Sequence, residues 1–129
     1  MKKVICFSIS VLLLAACKRN EPIVPDSAGK GGDATLKVIP KHHGVTIDSC
    51  TVYIKYNTQD AATSYDDSVK CIPDNGVSTA IFSGLKKGNY YLYGKGWDAS
   101  INLEVKGGLP YVISEEATLT ADLPVTESH

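Results

Sequence analysis

His42 and His43 stand side by side ahead of Gly44, and the third histidine, His129, ends the chain. A histidine pair could help to hold a metal ion. Successive residues of a strand point to opposite faces, however, and no second ligand motif accompanies the pair. The sequence therefore predicts a solvated turn through Lys41-His42-His43-Gly44. Nucleophilic catalysis needs a base beside the nucleophile, and no Gly-x-Ser-x-Gly elbow presents a serine here. The expectation is a protein that is not an enzyme and carries no cofactor. Asn57, Asp60, Asp66 and Asp67 gather amide and carboxylate oxygens around one polar loop, the donor type calcium takes. Their spacing matches no EF-hand or other calcium loop, so Asp60, Asp66 and Asp67 stand only as weak calcium candidates against a solvated loop.

The aromatic residues make a more suggestive pattern. If Tyr90 and Leu92 face inward on one strand, Tyr91 and Tyr93 must face outward, and Tyr53 projects from the outer face of its own strand. With Trp97 near a turn, these rings could form a platform that stacks on sugars or grips a protein. Tyrosine also has high strand propensity and often lies half-exposed in cross-strand pairs without any ligand.

These groups must be positioned by short alternating runs, since beyond Ala34 no apolar stripe at helical spacing extends over more than a few residues. Leu36 and Val38 alternate in a first strand that is expected to stop at Pro40. Val52, Ile54 and Tyr56 share one face of a stronger strand starting at Cys50. Asn57 to Ser64 reads as a loop, Val69 to Ile72 as a short strand, and Asp74-Asn75-Gly76 as a hairpin turn. Strands are predicted at Thr79 to Phe82, Tyr90 to Tyr93, Ile101 to Val105, Tyr111 to Ile113 and Ala117 to Leu123, with a turn at Lys106-Gly107-Gly108-Leu109-Pro110. Seven or eight strands of this kind fit an all-β, Ig-like two-sheet sandwich.

Ahead of this domain, Met1-Lys2-Lys3 is a positive start and Val4 to Leu14 an apolar run, together the pattern of a signal peptide. The run is too short to cross a bilayer as a helix, which takes about 20 apolar residues. Leu14-Ala15-Ala16-Cys17 resembles the lipobox of bacterial lipoproteins. The resemblance implies cleavage after Ala16 and a diacylglycerol thioether on Cys17. Several acyl chains, at about 0.8 kcal/mol per buried methylene, would then fix the chain to a membrane. Lys18 and Arg19 follow, with neither the aspartate of inner-membrane retention nor an acidic run, so the resemblance implies the periplasmic face of the outer membrane. The expected organisation is a signal peptide over 1–16, a lipidated and flexible linker over 17–33 with Pro22, Pro25, Gly29, Gly31 and Gly32, and a β-sandwich over 34–129.

Of four cysteines, Cys6 goes with the signal and Cys17 carries lipid, which leaves Cys50 and Cys71 as a pair in an oxidising compartment. A disulfide is the expected reading. Two buried thiols or half of a zinc site are the alternatives, although neither cysteine sits in a Cys-x-x-Cys motif. The part after the signal is mildly acidic and has no basic run after Arg19, which argues against nucleic acid as a partner.

The stretch from Asp74-Asn75-Gly76 through Phe82-Ser83-Gly84-Leu85-Lys86-Lys87-Gly88-Asn89-Tyr90-Tyr91-Leu92 resembles the hallmark of carboxypeptidase regulatory-like domains, which have a transthyretin-like sandwich. In that pattern the leucine plugs the core, the glycine turns, and the tyrosine opens the next strand. Ile47 to Ile54 resembles the family's second strand, with Cys50 where a small residue is usual, and the likeness extends to Asp98. It implies an accessory role and no catalytic residue. Taken together, the sequence predicts a lipid-anchored envelope module with a structural or protein-interaction role. The alternative is a carbohydrate-binding lipoprotein that uses Tyr53, Tyr91, Tyr93 and Trp97.

Overall fold

Strand alternation, not length, decides where the core lies. The computed structural model describes residues 28–127, so the signal segment, Cys17, most of the expected linker and His129 lie outside the described residues. Within them the chain forms β1 (Lys30–His42), β2 (Val45–Thr46), β3 (Ser49–Tyr56), β4 (Asp67–Lys70), β5 (Ile72–Asp74), β6 (Val77–Leu85), β7 (Gly88–Asp98), β8 (Leu103–Ile113), β9 (Thr118–Pro124) and β10 (Thr126–Glu127). No described helix is long and apolar enough to cross a membrane.

The strands build two five-stranded sheets, an all-β sandwich. The first runs β2-β1-β6-β5 with β9 on β1, and the second runs β10-β8-β7-β3-β4. All pairs are antiparallel except β1 with β9. Every second residue points into the space between the sheets: Leu36 and Val38 from β1, Val52 and Ile54 from β3, Tyr90 and Leu92 from β7, all fully buried. Leu85 and Leu92 share this core, as the resemblance implied for Leu85 and the strand alternation for Leu92. Tyr90 adds a polar clasp. Its hydroxyl accepts the Gly29 N–H at 2.8 Å and donates to the Lys86 carbonyl at 2.7 Å, while its ring meets Tyr56 edge-on.

Several boundaries differ from the sequence reading, each for a local reason. Strand β1 begins at Lys30, inside the span expected as linker, because the Tyr90 hydroxyl and the Asn57 side chain take up the backbone N–H groups of Gly29 and Ala28. Gly88, at φ +149°, then leaves room for Ala28; a Cβ there would press to 2.7 Å from the Ala28 methyl. Pro40 does not end β1. It sits opposite Leu123 of β9, beyond the point where β6 leaves the other edge at Val38, so no ladder partner waits for the missing N–H.

The expected strand from Val69 to Ile72 is split at Cys71, where the chain leaves the second sheet and enters the first as β5. Pro73 is tolerated in β5 because that strand is an edge. Asp74-Asn75-Gly76 makes the predicted hairpin turn, with Asn75 and Gly76 both at positive φ. By contrast, Lys106 to Pro110 is not a turn but the middle of β8, paired continuously with β7. Gly108 is there for the ring of Tyr91, whose hydroxyl and Cζ a Cβ at this position would strike. Pro110 lies beyond Val105 and Lys106, the only residues of β8 that β10 covers, so its edge is open. Ten strands therefore replace the expected seven or eight.

Candidate functional site

One end of the sandwich brings together residues from three distant parts of the chain: the end of β1, the β7–β8 hairpin and β10. A cleft of about 400 Å³ opens there, lined among others by His42, His43, Val45, Trp97, Asp98 and Ile101. Its chemistry starts with a break in strand alternation. His43 takes φ +54° and Gly44 φ +80°, so the chain leaves its extended path after His42. The two rings then fall on one side, with centroids 4.2 Å apart, rather than on opposite faces as expected of a strand. Nor is the pair simply solvated: His43 is exposed, but His42 is only 5 % exposed.

The buried ring is held from the hairpin. His42 Nδ1 lies 2.7 Å from Asp98 Oδ2, and Asp98 is itself fixed by Ser100, whose N–H and hydroxyl donate to Oδ1 at 2.9 and 2.6 Å. Those bonds, then the one from His42, hold the Asp98 carboxyl below its usual pKa, so it remains an anion and accepts from Nδ1–H. On the other side, His42 Nε2 is 3.4 Å and His43 Nε2 3.9 Å from Glu127 Oε2. The Glu127 carboxyl is also held below its ordinary value, first by its own backbone N–H and then by His42. The Asp98 bond raises the pKa of His42, with burial opposing it and Glu127 adding to the rise. His42 Nε2 nevertheless makes no hydrogen bond. Sequence reading singled out the two histidines and missed Asp98 and Glu127, which no spacing connects to them.

The aromatic residues are gathered on the outer face of the second sheet, as the alternation implied, but not as one platform. Tyr53 and Tyr93 face each other across β3 and β7 at 5.9 Å, and Tyr65, which the sequence reading did not include, stacks on Tyr93 at 5.7 Å. Tyr91 lies instead across Gly108. Trp97 stands four residues from Tyr93 along β7, about 13 Å at strand rise, and belongs to the cleft. Between Tyr53 and Trp97 runs an open groove of about 340 Å³ floored by Gly96 and flanked by Thr51, Lys70 and Lys95.

The calcium candidates are not assembled into a site. Asp66 Oδ2 accepts the Tyr56 N–H at 2.8 Å and its Oδ1 lies 3.6 Å from Lys55 Nζ. Asp67 bonds the Ser68 N–H, and Asn57 spends its oxygen on Ala28. Among the described residues, only His42, His43 and Glu127 bring three metal-type donors together.

The expected disulfide is likewise absent: Cys50 and Cys71 are free thiols. They lie at the open end of the β3–β4 pair, away from the connecting loop, where the Cys71 N–H donates to the Cys50 carbonyl at 2.9 Å. The Cys50 thiol donates to the Thr51 carbonyl at 3.7 Å; the neighbouring Cys71 and burial push its pKa up, while that of Cys71 is lowered by Cys50. Compared with known proteins, the chain matches no family model, no curated protein and no solved structure.

Proposed function

We propose that this chain is a non-catalytic binding module of the bacterial cell envelope, tethered by lipid on Cys17 at the periplasmic face of the outer membrane, and that it engages an envelope protein through the end of the sandwich that carries the cleft. One observation carries this reading. Val45, Trp97, Ile101 and Leu103 are 66, 45, 41 and 48 % exposed, and they surround or adjoin the same opening. Large apolar side chains gathered at one end favour a protein partner, with the tryptophan as its anchor. Three of the four are aliphatic and offer a sugar neither a ring face nor a hydrogen bond.

In the oxidising compartment implied by such a tether, Cys50 and Cys71, side by side across β3 and β4, are the two thiols placed to close a disulfide. A second reading, glycan binding, is favoured by the groove between Tyr53 and Trp97, which pairs aromatic walls with the polar groups of Thr51, Lys70 and Lys95.

Photo-crosslinking in intact cells tests the first reading. A crosslinker at Leu103 should capture one dominant envelope protein, while one at Thr120 on the opposite sheet should not. Ile101→Asp should abolish the capture. Equal capture from both positions, or capture that survives Ile101→Asp, refutes the assignment. The glycan reading predicts the converse: affinity electrophoresis against envelope polysaccharides should show retardation that Tyr53→Ala with Lys70→Ala removes and Ile101→Asp spares.

A further inference from the structure

We propose that His42, His43 and Glu127 bind a single divalent transition-metal ion, with zinc the best match. Their donor atoms, two imidazole nitrogens and one carboxylate oxygen, all lie within 4.8 Å of one another. Around a tetrahedral zinc with bonds of about 2.0–2.1 Å, neighbouring ligand atoms are about 3.3–3.4 Å apart. The separation of His42 Nε2 from Glu127 Oε2 is 3.4 Å. His43 Nε2, at 3.9 Å from the same oxygen, needs only a small turn of an exposed side chain to close the set.

The stronger argument is electrostatic. Asp98 holds the proton of His42 on Nδ1, so the lone pair of the neutral ring is on Nε2. That atom is buried without a hydrogen-bond partner, and the group it faces is a carboxylate oxygen. Two acceptors opposed at this distance repel, and a buried nitrogen left unsatisfied is costly. A cation between them satisfies both. Histidine ligands characteristically donate their other N–H to a carboxylate, which fixes the ring and makes it a better donor, and Asp98 does this here. The charges also balance: two neutral imidazoles, the Glu127 anion and the Asp98 anion meet the two positive charges of the ion.

The donor set selects the metal. Two imidazoles and one carboxylate suit zinc and its transition-metal neighbours, whereas calcium takes six to eight oxygens and magnesium an octahedron of them. Three protein ligands leave a fourth position for water or another ligand. The left-handed turn at His43 has its purpose in this arrangement, because an extended residue there would send the second ring to the opposite side.

A proton on Nε2 would also relieve the repulsion, by making His42 an imidazolium between Asp98 and Glu127. Calorimetric titration separates the two. The full chain, carrying no histidine tag and stripped of metal, is titrated with zinc chloride, and Co²⁺ is added separately as a visible-absorption probe. The expected result is one zinc per chain and Co²⁺ bands of tetrahedral intensity. Glu127→Gln and His43→Ala, both at accessible positions, should each keep cooperative unfolding and abolish the one-to-one binding. Asp98→Asn, which touches the ligand and not the ion, should weaken it about 10–100-fold. Absence of zinc uptake by the wild-type chain overturns the proposal in favour of the imidazolium. Uptake of equal strength in Glu127→Gln and His43→Ala overturns it in favour of adventitious binding elsewhere. Zinc uptake does not depend on any partner.

Discussion

Replacing Tyr90 with phenylalanine removes one oxygen atom and nothing else from the core. The ring keeps its place between the sheets and its edge contact with Tyr56, so any loss of stability belongs to the hydroxyl. Two short bonds disappear, from the Gly29 N–H and to the Lys86 carbonyl, with a longer one of 3.4 Å to the Gly29 carbonyl. The Gly29 amide is buried, and leaving it without an acceptor costs about 1–3 kcal/mol. The Lys86 carbonyl lies nearer the surface, where water can replace the phenol, and its loss costs about 0.5–1.5 kcal/mol. The sum is about 1.5–4.5 kcal/mol. At about 4–8 °C per kcal/mol for a domain of this size, Tm should fall by at least about 6 °C. Urea unfolding measures it directly: the midpoint should drop while the slope stays constant, and hydrogen exchange at the Gly29 amide should accelerate. A loss under about 0.5 kcal/mol with Gly29 still protected would show that Tyr90 does not fasten the start of β1, and that the linker extends further into the domain than the fold implies.

The same phenol has its pKa raised by burial, with Glu116 adding to the rise, so the native chain holds this proton where the unfolded chain has lost it. Its contribution is therefore complete below the ordinary tyrosine value of 10.0 and is lost as pH rises beyond it; unfolding titrations in alkali should show a falling stability whose slope is reduced in Tyr90→Phe. Gly108→Val should cost about 1–3 kcal/mol, because the new side chain must displace the ring of Tyr91. An unchanged urea midpoint would mean that Tyr91 does not lie across β8. Mild oxidation should join Cys50 to Cys71, detected as loss of both titratable thiols in one monomeric chain. Closing a loop of about 20 residues should raise stability by about 3 kcal/mol. Two thiols still titratable after oxidation would contradict their adjacency.

Much of the sandwich was legible because strand alternation is a local property. The inward set of Leu36, Val38, Val52, Ile54, Tyr90 and Leu92 is fixed by the period of two, and the Asn75-Gly76 turn by the positive φ those residues accept. Proline and glycine were misread for the opposite reason. Pro40, Pro110, Gly107 and Gly108 look like breaks in the chain, yet each is tolerated or required by a neighbour far away in sequence: an edge that β6 has left, an edge that β10 does not reach, the backbone of Pro124, a tyrosine ring from β7.

By itself, then, the sequence determined the fold class and the inward and outward faces, with Tyr53, Tyr91 and Tyr93 on the outer side of their strands. It also carried the lipobox-like start on which the proposed tether rests. Only the tertiary structure decided what those surfaces amount to. His42 becomes more than part of a turn because Asp98, from a hairpin 56 residues away, holds one nitrogen while Glu127, from β10, faces the other. Such a site depends on through-space distances of a few ångströms between groups that share no sequence period, and those distances exist only once the two sheets have packed together.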